Sequence, residues 1–244
     1  MHKGLVRLIC CFIPSANTRH RLHDKYCPKR YDITGDNNVI CFEGMGTTKF
    51  QSGLLIKIVG NNNKVFLPAA HYFHNSHIII RANDTEIHIG KPRGKIENFG
   101  VAMSCGNGQR LIIGEDFTCF GCSFQMHETG ASVKIGNDCL FSNSISIWAT
   151  DGHSLLDAKT NKILNPITNA IEIGNHVWIG EGVKILKNVH IADNSVVGAA
   201  SVVCKRFDTP NVTIAGNPAR VIRDAITWDR LSPESLNKQR NGNK

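Results

Sequence analysis

Residues 171–203 read IEIGNHVWIGEGVKILKNVHIADNSVVGAASVV, and their spacing decides the architecture. Ile173, Ile179, Ile185, Ile191, Val197 and Val203 recur every six residues without exception. A second inward set follows each lead position by four: Val177, Val183, Val189, Ser195 and Ser201. Glycine comes next to the lead residue at Gly174, Gly180 and Gly198, with Ala192 substituting once. A helix would return its apolar residues at three and four, and an ordinary strand at two. A strict six with glycine beside the aliphatic predicts short strands joined by tight corners, whose dihedrals glycine tolerates. Three six-residue sides close one triangular coil of about 18 residues, and stacked coils hydrogen-bond as parallel sheets about 4.8 Å apart. The predicted fold class is therefore an all-β solenoid, a parallel β-helix of hexapeptide repeats.

The same frame runs backwards with interruptions. Ile135, Phe141 and Ile147 form one set, with Cys139 and Ile145 as inward partners. Ile113, Cys119 and Gln125 form another, with Phe117 and Ser123, and Ile89-Gly90 and Val59-Gly60 read as degraded rungs. Ile147 to Ile173 is one six-residue side plus 20 residues, an insertion over 153–172 that begins at His153. A solenoid that breaks its period is building something on its surface, because loops held by a rigid scaffold carry function. Residues 1–50 read as a basic helical cap segment broken at Pro14, and 51–216 as the β-helix catalytic domain. Residues 217–244, opening Asn217-Pro218-Ala219-Arg220, read as a strand or turn followed by a helix. Either end segment would cover the unpaired strand edges of an open solenoid.

Composition narrows the class. The chain has 244 residues, 41% of them hydrophobic, enough for a buried core. Its nine cysteines are odd in number and lack framework spacing, which points to a reducing compartment and a cytoplasmic location. Cys119-x-x-Cys122 has no second pair to complete a zinc site, and Cys119 and Cys139 fall on inward positions as small apolar side chains. His71, His74 and His77 likewise lack a completing Cys or carboxylate, so no metal is expected. The apolar run Leu8–Ile13 is six residues, short of the roughly 7–15 of a signal peptide. It reads as part of an amphipathic helix, Leu5 to Ile13, either a solenoid cap or a peripheral membrane contact through residues 3–25 at the inner membrane face. The formal charge of +8 suits an anionic partner. Nucleic acid is not expected, because the aromatic-plus-basic spacing of an RNA-binding sheet is missing.

The motifs I-G-N-H-V-W-I-G at 173–180, V-V-G-A-A-S-V-V at 196–203 and A-G-N-P-A-R-V-I-R at 215–223 resemble those of the hexapeptide-repeat acyltransferases. The resemblance implies a left-handed β-helix, whereas the general rule for crossovers favours the right hand. It implies a homotrimer, with acetyl-CoA in a cleft between neighbouring helices. Trp148-Ala149-Thr150-Asp151-Gly152-His153-Ser154-Leu155-Leu156-Asp157 followed by Asn165-Pro166 is most similar to the polysaccharide and sialate O-acetyltransferases of that family. The implied acceptor is a saccharide hydroxyl on a bacterial capsule or lipopolysaccharide sugar, and the charge suggests an anionic glycan.

Acetyl transfer to a hydroxyl needs a base and a donor to the thioester oxyanion, and a neutral imidazole suits the first task near pH 7. His153 stands where the family places its catalytic histidine, for direct transfer without an acyl-enzyme. Asp151 or Asp157 would fix its tautomer, or Asp151 would cap a turn. Trp178 precedes an inward position and should face outward, toward sugar, pantetheine or a trimer neighbour. For acetyl-CoA, Gly180, Gly198, Ala199 and Ala200 would line the pantetheine arm. Lys205, Arg206, Arg220 and Arg223, beside Asn217-Pro218, would form one cationic cluster for the phosphates. The alternatives on the same scaffold are N-acetylation of a nucleotide-linked amino sugar, serine acetylation, a zinc site built from His88, His127, His153, His176 or His190, or a non-catalytic solenoid.

Overall fold

The computed structural model describes residues 31–43, 53–166 and 170–242; the helical reading of residues 3–30 lies outside them. Three sheets wrap a single apolar core as a left-handed parallel β-helix. Among the described residues the three sheets have eight, seven and eight strands, the first including Phe99–Ser104, Cys122–Met126, Ile145–Trp148, Lys184–Ile185 and Val202–Val203. The second includes Ser132–Ile135, Ile171–Ile173 and His190–Ile191. The third includes Leu140–Phe141, Trp178–Ile179, Val196–Val197 and the closing hairpin Thr213–Gly216 with Ala219–Arg223. Each coil runs first, second, third sheet, and within the three described sheets only the closing hairpin pairs antiparallel. Among the described residues, no helix is long and apolar enough to cross a membrane.

The six-residue frame is the core. Ile173, Ile179, Ile185, Ile191, Val197 and Val203 are buried, as are Val177, Val183, Val189, Ser195 and Ser201. The two serines close their hydroxyls onto the carbonyls of Asp193 and Gly198, so neither leaves a bare polar group inside. Cys119, Cys122 and Cys139 are buried, and burial pushes the Cys139 thiol up to about 12, which keeps it protonated and inert.

Three sequence readings need correction. Gln125 and Ser123 face outward, and Cys122, Phe124 and Met126 point in. The corner at Phe120-Gly121 is one residue short: Cys119 pairs with Phe141 but Cys122 with Ile145, which shifts the phase by one. In the same way Ile58, not Val59, is the inward residue of its rung. The rungs also begin before residue 51. Tyr31–Thr34 pairs with the strand Leu54–Val59, and Val39–Phe42 with Lys64–Leu67.

The far end of the chain is tied along the outside. Residues 226–230 run down the corner between second and third sheets, against the direction in which coils are added. Asn211 and Ile226 exchange two bonds, amide to carbonyl in both directions. Two coils back, Trp228 stacks on His176 at 4.3 Å and donates its indole N–H to the His176 carbonyl at 2.8 Å. Arg230 then reaches Asp138 at 3.0 Å, Thr118 Oγ1 at 3.1 Å and the Asp116 carbonyl at 3.3 Å. The helix Pro233–Gly242 follows, capped by Ser232, whose Oγ accepts the Ser235 amide.

Candidate active site

His153 opens the insertion at the corner where the first sheet passes into the second, directly after Ile145–Trp148. The insertion folds back as a small hairpin. Leu156 bridges Ile163 antiparallel, and Leu164 donates its amide to the Leu155 carbonyl at 2.8 Å. Its turn is held by Asp157, whose Oδ1 accepts Lys159 N, Thr160 N and Thr160 Oγ1 at 3.0, 2.7 and 2.9 Å. Those bonds hold the Asp157 carboxyl below its ordinary range and engage it in turn-building.

His153 is exposed, and its ring makes no hydrogen bond to any other described residue. Asp151 does not orient that ring. Its Oδ2 receives Lys187 Nζ at 2.7 Å and Asn165 Nδ2 at 2.6 Å. Partial burial pushes the Asp151 carboxyl up, but the bonds from Lys187 and Asn165 outweigh it and hold the group low. Both tautomer-fixing expectations are thereby corrected: one carboxylate builds the loop's turn and the other its base.

Trp178 faces outward as its position requires, 40% exposed in the third sheet. Trp228 lies beside it at 6.0 Å between ring centroids. Gly180, Gly198, Ala199 and Ala200 stack at the corner from third to first sheet. Gly180 N bonds the Val197 carbonyl, and Gly198 N the Ile214 carbonyl, both at 2.8 Å. Pro218 stands at this same edge in the turn of the closing hairpin, where Gly216 N bonds Ser201 Oγ. Arg220 follows in the hairpin and folds onto the Ala219 carbonyl. Ala199, Ala200 and Pro218 are exposed, a low strip with no bulky side chain among them.

Lys205 and Arg206 are elsewhere. They follow Val202–Val203 at the corner from first to second sheet, above the insertion. Lys205 lies over the Phe207 ring at 5.2 Å, and Arg206 pairs with Asp208 at 3.1 Å. The expected single cationic cluster is thus divided: Lys205 and Arg206 lie at one edge of the first sheet, Arg220 near the other, and Arg223, paired with Thr213, at the far end of the closing hairpin. Each six-residue side carries the chain across one face, and Lys205 and Pro218 are thirteen residues apart. His153 and Trp178 are divided in the same manner.

Three of the other described histidines are engaged by hydrogen bonds. His127 Nδ1 meets Ser104 Oγ at 2.7 Å, His176 Nδ1 meets Asp138 at 2.8 Å, and His190 Nδ1 meets Asp208. His71, His74 and His77 fall on a 3-10 turn and two strands of different sheets. Among the described residues, no group of three His, Cys, Asp or Glu is disposed to hold a metal ion.

Comparison with known proteins joins this geometry to a chemistry. Residues 170–205 match the bacterial transferase hexapeptide (six repeats) family. The polysialic acid O-acetyltransferase of Neisseria meningitidis is 32% identical over 200 residues, covering 82% of this chain and 89% of that protein. The Escherichia coli O1:K1 polysialic acid O-acetyltransferase is 32% identical over 130 residues, 53% of this chain but only 41% of that protein. The crystal structure of the polySia-specific acetyltransferase NeuO superimposes with a TM-score of 0.63 at 25% identity, covering 88% of this chain and 98% of that one. The polysialic acid O-acetyltransferase OatWY superimposes with a TM-score of 0.54 at 24% identity, over 84% and 93% of the two chains, a likeness of fold. An exposed histidine on a hexapeptide β-helix, in a chain so closely matched along most of its length, belongs to an enzyme of the hexapeptide-repeat O-acetyltransferase family.

Proposed function

We propose that this enzyme transfers the acetyl group of acetyl-CoA to a hydroxyl of an anionic bacterial surface glycan, a capsular or lipopolysaccharide sugar, with His153 as general base. The observation that carries the reading is the unengaged His153 ring, presented to solvent by a loop whose Asp151 and Asn165 side chains are tied down. The imidazole takes the proton of the acceptor hydroxyl as that oxygen attacks the thioester carbonyl, then returns it to the departing thiolate. Transfer is direct, and the buried cysteines supply no nucleophile.

Donor binding follows the two edges of the first sheet. The exposed strip of Ala199, Ala200 and Pro218, over Gly180 and Gly198, fits a slender pantetheine arm. Lys205, with no ion pair among the described residues, and Arg206 fit phosphate at the other edge, as Arg220 does at the first. One donor molecule touches both edges only if a neighbouring chain brings its strip to this chain's insertion. That supports a homotrimer in which Trp178 of one chain faces His153 of the next. The glycan class is carried by the named relatives and by the charge of +8. Acetyl-CoA sets the reaction in the cytoplasm, with the basic segment 3–25 available to an anionic inner membrane face.

The test is acceptor-dependent release of free thiol from acetyl-CoA against a panel of capsular and lipopolysaccharide glycans, polysialic acid included. His153→Ala should lose at least about a hundredfold in kcat, the usual weight of a general base. Undiminished turnover in that variant would place the base elsewhere.

A further inference from the structure

Lys187 lies one coil beyond His153's own, at the same corner. Ile147 pairs with Ile185, which sets Lys187 beside Ala149, two residues before Asp151. Its side chain is only 15% exposed, unusual for a lysine on a solenoid edge. The ammonium has three protons and three acceptors: Asp151 Oδ2 at 2.7 Å, the Asn165 carbonyl, and the Pro166 carbonyl at 3.5 Å.

Asn165 carries the hold onward. Its Nδ2 donates to Asp151 Oδ2 at 2.6 Å and to the His153 main-chain carbonyl at 2.9 Å. Its Oδ1 accepts the Leu155 amide at 2.7 Å. The residues on either side of Ser154 are therefore clamped by one amide, which is itself clamped by Lys187 and Asp151. Asp151, just before the insertion, and Asn165-Pro166, on its returning arm, meet on the single ammonium. The rest of the loop cannot do this work: Leu155, Leu156, Ile163 and Leu164 are all exposed and pack no core.

We propose that Lys187 is the positioning residue for His153, fixing the base's main chain through Asp151 and Asn165 so that its imidazole meets the acceptor hydroxyl at the scaffold's edge. The proposal rests on His153 being the base. Its logic is geometric: a displacement of about 1 Å at a reacting group costs roughly a hundredfold in rate, and residues 153–166 of this loop are tethered to the scaffold by polar contacts, with their large apolar side chains exposed. A charge-assisted bond to a partly buried ammonium is the strongest of those contacts. The roles divide cleanly, since Asp151 acts on the loop's frame and leaves the ring free to move a proton.

The experiment measures kcat, and KM for acetyl-CoA and for polysialic acid, in Lys187→Met, Lys187→Arg, Asp151→Asn, the Lys187→Met/Asp151→Asn double variant and His153→Ala. Amide exchange of Leu155 and Leu164 is followed in the same proteins. Lys187→Met should lower kcat about 10- to 100-fold with KM for acetyl-CoA held within about twofold. Lys187→Arg should recover part of the loss, and the double variant should be no worse than the poorer single. The Leu155 amide should exchange faster in Lys187→Met, a readout independent of the acceptor chosen. Wild-type kcat in Lys187→Met, or a loss confined to KM for acetyl-CoA, overturns the proposal, and the latter would make Lys187 a donor contact. If Lys187→Met melts too low to assay, Asp151→Asn decides by the same criteria. An active His153→Ala sinks the assignment of the base itself. An inactive His153→Ala beside a fully active Lys187→Met sinks only the positioning role.

Discussion

Asp138 is gripped from three other places in the chain. Its Oδ2 meets His176 Nδ1 at 2.8 Å, and its Oδ1 meets Arg230 Nε at 3.0 Å and Arg93 at 3.4 Å. Partial burial pushes this carboxyl up, yet the His176 and Arg230 bonds prevail and hold it below its ordinary value. A carboxyl lowered in the folded state stabilises at pH above its unfolded value, about 3.9, and that contribution disappears as pH falls through the lower folded value. The segment 226–230 should therefore release in acid, below about pH 4. Trp228 fluorescence in a Trp148→Phe/Trp178→Phe background reads this, and a release centred near neutrality would contradict it. Arg230→Met removes four donor contacts and should cost about 1–3 kcal/mol in urea unfolding. No spacing signal marked Trp228 or Arg230, because the six-residue period ends with the coils and these residues act from outside them. Lys187 escaped for a related reason: its partners lie at the base of an insertion that no period describes.

At the scale of the rung, the lead aliphatics were legible because burial enforces them, and the polar scaffolding was not. At the second-to-third-sheet corner, Glu115 N bonds Asn137 Oδ1 at 2.8 Å, Asn137 N bonds Asn175 Oδ1 at 2.9 Å, and Asn175 N bonds Asp193 Oδ1 at 2.8 Å. A second ladder climbs another corner through Asp36, Asn61, Asn83 and Asn107. Each amide that the turning chain strands is satisfied by the side chain of the next coil, which is why Ile-Gly-Asn recurs at 135–137 and 173–175. Reading only the apolar period passes over this second repeat, two residues after each lead position. Asn137→Ala should lower stability by about 1 kcal/mol, seen as a lower urea midpoint with an unchanged m-value. Ile179→Ala, in the core of the adjoining coil, should cost about 2–5 kcal/mol. The one-residue slip at Cys119–Phe124 shows the limit of the frame, since a shortened corner changes phase without leaving a gap in hydrophobicity.

For the molecule as a whole, the proposed function makes assembly a catalytic requirement, because the candidate site is divided between two edges. Chains bearing His153→Ala and chains bearing Trp178→Ala should each be inactive alone and regain thiol release when co-expressed, because mixed trimers contain some intact His153–Trp178 pairings. Mixtures that stay inactive while sedimenting as trimers would mean that each chain holds its site alone. The fold's coiling was open to inspection in the spacing of Ile173 to Val203, but the separation of its two edges was not. Six-residue counting tells which residues face in, and only the closed triangle tells which corners are neighbours.

The strap at residues 226–230 has a consequence for how the molecule comes apart. A solenoid coupled only between adjacent coils frays one coil at a time from its open end. Arg230 instead holds Asp116 across 114 residues of sequence, and Trp228 holds His176 across 52. Coils that would otherwise peel away singly are bound into one cooperative block, which melts together or not at all. The same long-range closure must wait for every coil it spans, so the chain that resists fraying best is also the slower to complete its folding.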